Sequence, residues 1–94
     1  MNAYERQIQH FDETIRLNPL NAEAYYGRGM AYYELEQYEL AIEDLDEAIR
    51  LNPQDTNSFH WRAMAYHDLE QYERAIEDLD EAIRLNPQDT NSFH

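Results

Sequence analysis

Shifted by 34 positions, the chain falls on itself: residues 35–60 and 69–94 are identical at 25 of 26 aligned positions, with Leu40 against Arg74 the one difference. A period between 20 and 50 residues belongs to stacked units, each burying the apolar face of its neighbour. Pro19, Pro53 and Pro87 keep the same spacing, and each follows a Leu-Asn pair. Proline lacks an amide donor and pushes the preceding residue out of the helical region, so the three mark the turns between units.

Between these turns the apolar residues recur at steps of three and four. Ile8, Phe11 and Ile15 form one stripe; Tyr25, Tyr32 and Leu35 a second; Tyr38, Ala41, Ile42, Leu45, Ala48 and Ile49 a third. Phe59, Tyr66 and Leu69, then Tyr72, Ala75, Ile76, Leu79, Ala82 and Ile83, repeat the last two. That period predicts helices near 3–17, 22–35, 38–51, 56–69 and 72–85. Asn21, Asp55 and Asp89 precede the first helix of a pair, where a side-chain oxygen accepts from unpaired amides. The chain reads as all-α, with five helices in one domain.

A 34-residue helix-turn-helix resembles the tetratricopeptide repeat. The residues that carry the resemblance are Tyr25, Gly29, Tyr32, Ala41, Leu45, Ala48 and Pro53, then Phe59, Ala63, Tyr66, Ala75, Leu79, Ala82 and Pro87. It implies a right-handed α-solenoid of antiparallel helix pairs, about two and a half repeats long. Residues 1–21 supply a second helix only, 22–55 and 56–89 two full repeats, and 90–94 the opening of another. Small residues at 29/63, 41/75 and 48/82 allow close helix approach, and aromatics fill the gaps. Two departures stand out. Arg28 and Arg62 replace the family's leucine, and Glu36 and Glu70 occupy a turn where the family often has glycine, which questions the turn geometry there.

The ends differ from the middle. In residues 1–20, Phe11 and Pro19 match the pattern, but Gln7 and Thr14 stand where close-packing alanines belong, as expected where a first helix is missing. At the other end, residues 90–94 repeat residues 56–60, so helix 38–51 is covered by helix 56–69 while helix 72–85 lacks a comparable cover. An apolar patch is expected there, and with it a homo-oligomer built by stacking or exchanging repeats.

By resemblance, the first helices of successive repeats line a concave groove for peptides or partner helices. This places Tyr26, Met30, Tyr33 and Glu34, then His60, Met64, His67 and Asp68, at the candidate peptide site. Helical steps agree: Tyr26, Met30 and Tyr33 form a stripe separate from the inward stripe of Tyr25, Gly29 and Tyr32. Methionine repacks against varied apolar ligands, and tyrosine offers a ring with a polar tip. Some family members clamp a chaperone's C-terminal carboxylate with lysine and asparagine, but Tyr26, Met30, His60 and Met64 hold those positions, and all seven basic residues are arginine. Glu23, Glu34, Asp55, Asp68 and Asp89 instead suggest an acidic rim for a neutral or basic peptide.

The formal charge of −13 disfavours nucleic acid and anionic membranes. Apolar runs are too short to span a bilayer, there is no cysteine, and the N-terminus lacks the basic-then-apolar start of a secretory signal, so a cytoplasmic address is expected. His60 and His67 lie about 10.5 Å apart along a helix, too far to share one ion, so neither metal nor cofactor is expected. The runs at 43–47 and 77–81 read as solvated helix faces, with four-residue pairs Asp46–Arg50 and Asp80–Arg84. No nucleophile, base and orienter are brought together, and no glycine-rich phosphate loop is present, so the expected role is non-enzymatic binding of a peptide or partner helix. The alternative is a self-associating, designed or truncated repeat scaffold whose main partner is another copy of itself.

Overall fold

A computed structural model describes residues 1–87. Five helices follow in order: α1 (Ala3–Leu17), α2 (Ala22–Glu34), α3 (Tyr38–Leu51), α4 (Thr56–Asp68) and α5 (Tyr72–Leu85). Helix α2 packs on α3 and α4 on α5; α1 packs on α2 and α3 on α4, so each helix rests on the one before it. The stack measures 41 × 26 × 21 Å. The expected boundaries agree to within one residue, since Leu35 and Leu69 are the C-caps of α2 and α4.

The helix starts follow from their caps. Asn21 accepts from the Ala24 amide at 3.2 Å, and Asp55 accepts from the amides of Asn57 and Ser58 and from the Ser58 hydroxyl. Asn2 and Glu5 form a reciprocal capping box on α1. Asp89 lies outside the described residues.

The core is made of small residues. Ala24, Ala31, Ala41, Ala48, Ala63 and Ala65 are almost completely hidden, with Leu45 at their centre. Gly29 is required by the α2–α3 contact: a Cβ there would lie 3.0 Å from Leu45 Cγ and 3.3 Å from the Ala41 carbonyl oxygen. Gly27 serves the neighbouring contact, where the Phe11 ring of α1 would lie within 2.3 Å of an added methyl group. No residue of α1 is fully buried, which explains in packing terms why Gln7 and Thr14 are accepted there.

The α2–α3 and α4–α5 turns keep a glycine-like geometry without glycine. Glu36 and Glu70 both have φ of 62°. The Gln37 amide donates to the Tyr32 carbonyl and the Glu36 amide to that of Tyr33, a paired closure that requires a left-handed residue after the C-cap. A side chain in that region costs about 1–2 kcal/mol. Glu36→Gly is therefore expected to raise stability by about 1 kcal/mol, read as a higher urea midpoint. An unchanged or lower midpoint would show that the turn is not strained.

The acidic runs are not simply solvated faces. Asp44 and Asp78 are each only 5% exposed. Arg28 holds Asp44 through Nε and Nη2 at 2.8 and 2.7 Å and reaches Asp12 of α1 through Nη1 at 2.8 Å. Arg62 repeats the arrangement with Asp78 at 2.8 and 2.6 Å and Asp46 at 2.8 Å. Each guanidinium thus ties three helices, and its pKa is raised chiefly by the paired carboxylate. The expected Asp46–Arg50 and Asp80–Arg84 pairs are replaced by Glu47–Arg50 and Glu81–Arg84: in both repeats the longer glutamate reaches the arginine three residues on, and Asp46 bonds Arg62 instead.

Candidate functional site

The same sequence has two environments in this molecule. On α3, Leu45 is fully hidden; on α5 the corresponding Leu79 lies at an open face, although Ala75 stays buried as Ala41 does. Leu79 is 39% exposed where Leu45 is 0%, and Tyr72, Ile76 and Ile83 are exposed with it. The apolar patch expected at this end is therefore present among the described residues.

Between α4 and α5 this face hollows into an open groove of about 610 Å³. Tyr33, His60, Met64, His67 and Asp68 line it from one side, and Tyr72, Ile76 and Leu79 from the other, with Ala63 and Ala75 at its floor. Ala63 and Ala75 add little side-chain bulk, and Tyr33, Met64, Tyr72, Ile76 and Leu79 supply larger side chains to the lining. The walls are held in place by edge-on rings. His67 meets Tyr72 at 5.2 Å between centroids, a copy of the Tyr33–Tyr38 contact at 5.4 Å one repeat earlier. The Tyr33 hydroxyl donates to Asp68 Oδ2 at 2.6 Å, joining α2 to α4. Partial burial, then that bond, raises the Tyr33 phenol well above its usual range, so it remains a donor.

The structure thus brings Tyr33, His60, Met64, His67 and Asp68 of the eight candidate residues to one groove. Tyr26 lines a separate hollow with His10, Phe11 and Thr14, and burial raises its phenol. Met30 and Glu34 line neither hollow. Of the expected acidic rim, Asp68 borders the groove, Glu23 lies by the Tyr26 hollow, Asp55 caps α4, and Asp89 is outside the described residues. Tyr72, Ile76 and Leu79 were not among the candidates, because the candidate stripe was confined to the first helix of each pair. Their signal was the apolar patch expected on helix 72–85. Among the described residues no helix is long and apolar enough to cross a membrane, and no three acidic or histidine side chains converge as a cation site.

The family model for the tetratricopeptide repeat matches residues 22–55 and 57–89. The chain belongs to the tetratricopeptide-repeat family. Its fold is similar to the first tetratricopeptide repeat of Spaghetti (RPAP3), solved with the HSP90 peptide SRMEEVD: TM-score 0.87, 26% identity, 89% of this chain and 67% of that one. It is also similar to the Arabidopsis OM64 tetratricopeptide-repeat domain, with TM-score 0.88 and 28% identity over 90% of this chain and 70% of that one. MamA shares the fold alone, with TM-score 0.83 and 23% identity over 89% of this chain and 49% of MamA. No curated protein sequence matches the chain. As a tetratricopeptide-repeat domain, it is a protein–protein interaction module.

Proposed function

We propose that this repeat domain binds a neutral or basic peptide, extended or helical, in the groove between α4 and α5, without catalysing a reaction. The observation that carries the reading is the groove itself: an apolar channel of about 610 Å³ with His60, Met64 and His67 along one wall and Ile76 and Leu79 along the other. Spaghetti's peptide SRMEEVD is acidic. A chain with formal charge −13 and no lysine would repel such a ligand, so the fold carries over and the ligand charge does not.

The test is a peptide library screened by fluorescence anisotropy. Saturable binding of neutral or basic peptides with apolar anchors is expected, weakened about tenfold by His67→Ala with Met64→Ala, and weakened by added salt. Binding that ignores both substitutions would place the site elsewhere, and indifference to salt would remove the charge argument.

Self-association is the second reading, favoured by the exposure of Tyr72, Ile76, Leu79 and Ile83 on a single face. Two copies meeting through α5 would bring like charges together, which opposes this arrangement. A sedimentation mass that stays monomeric as concentration rises would exclude it; a mass that grows would support it.

A further inference from the structure

We infer that the α4–α5 groove is the seat for a partner helix carrying an aromatic residue followed directly by arginine, the arginine bonding Asp80. This rests on the peptide-binding reading above and specifies the occupant.

The warrant is the occupied copy of the same seat. Helix α4 lies on α3 as the partner would lie on α5, and residues 41–51 of α3 are identical to 75–85 of α5. Two contacts of α4 define what such a seat accepts. Trp61 meets Tyr33 edge-on at 5.4 Å, and Arg62 donates from Nη1 to Asp46 Oδ1 at 2.8 Å. Shifted by 34 residues, the aromatic would meet His67 and the arginine would meet Asp80. His67 already has the ring partner that matches Tyr33's, in Tyr72. Asp80 is exposed, and among the described residues it has no ion pair, whereas Asp12 and Asp46 at the matching places of α1 and α3 each hold an arginine of the next helix.

Charge selects among occupants. A second copy presenting α5 would bring acidic groups to Asp80. The arginines that would fit, Arg28 and Arg62, are each bound within their own chain to two carboxylates. A separate helix with a free arginine meets neither obstacle. It would bury Leu79 and Ile76 as α4 buries Leu45, and the carboxylate would fix its register.

A synthetic peptide with the sequence of residues 56–67 and capped ends, which spans α4 but for Asp68 and carries Arg62 as its one formal charge, is the probe, added to the full chain and followed by fluorescence anisotropy. Saturable binding is expected, weakened about tenfold by Asp80→Asn in the protein. Replacing the peptide's Arg62 by alanine should weaken binding to the same degree, with no further loss when the two changes are combined. Asp80 is exposed, and an unchanged circular dichroism spectrum would confirm that the variant folds. No binding, equal binding to Asp80→Asn, or additive losses would each overturn the assignment. Failure here alongside saturable binding of other basic peptides would overturn the occupant and leave the groove; failure of every peptide would overturn both.

Discussion

Leu45→Ala is expected to cost about 3–4 kcal/mol in urea unfolding, and Leu79→Ala about 1 kcal/mol or less. The two leucines share their sequence surroundings, each lying in Glu-Asp-Leu-Asp-Glu on the second helix of a pair. What differs is the cover. Leu45 is fully hidden between α2, α3 and α4, so removing its side chain leaves a cavity that the alanine-rich packing around it cannot close. Leu79 is 39% exposed, and truncation there removes fewer contacts and opens to solvent instead of forming a void. Equal losses at the two sites would mean that α5 is covered in solution. A bound partner helix should bring the two losses closer together, because it restores the missing wall.

Arg62→Leu, which installs the family's usual residue, is expected to destabilise by about 3 kcal/mol although it adds apolar surface to the core. The reason is Asp78, 5% exposed and held by two of the arginine's nitrogens. Losing the guanidinium strands that carboxylate away from water. Arg62 Cζ also lies 5.4 Å from the Phe59 ring centroid, a contact leucine cannot reproduce. The double change Arg62→Leu with Asp78→Ala leaves no buried charge unpaired and should recover about half of the loss. A single substitution with no penalty would show that the ion pair is solvated and that the three-helix tie contributes little.

The helices, the Asn21 and Asp55 caps and the open face were legible because each follows from local periodicity or from comparing one repeat with the next. Alternating steps of three and four give Tyr38 to Ile49 a single apolar stripe, and Leu-Asn-Pro ends each second helix. The arginine ties were not read. Arg28 and Arg62 were recognised as departures, but the acidic runs looked like ordinary solvated faces, because helical periodicity within one element cannot show that Asp44 faces a cation on another. The signal lay across helices: Asp12, Arg28 and Asp44 are spaced by 16, as are Asp46, Arg62 and Asp78. Glu36 shows a different limit. Absence of glycine from the turn suggested altered geometry, yet the two backbone bonds that close it impose φ of 62° regardless of side chain.

The groove was half legible. His60, Met64 and His67 share a helix face and could be found by spacing alone, whereas their pairing with Ile76 and Leu79 depends on how α5 crosses α4. Tyr33 and Asp68 were assigned to the site as separate side chains, and the structure makes them a bonded pair that fixes the edge of the groove.

Residues 41–51 and 75–85 are identical in sequence and differ in how far a neighbouring helix covers them. Hydrogen exchange of assigned backbone amides, followed by nuclear magnetic resonance, measures this directly, since residues 41–51 and 75–85 share one sequence and therefore closely similar intrinsic rates. Faster exchange throughout 75–85, by about tenfold or more, is expected, with the gap narrowing when a helix binds the groove. Equal protection of the two segments in the free chain would contradict the account.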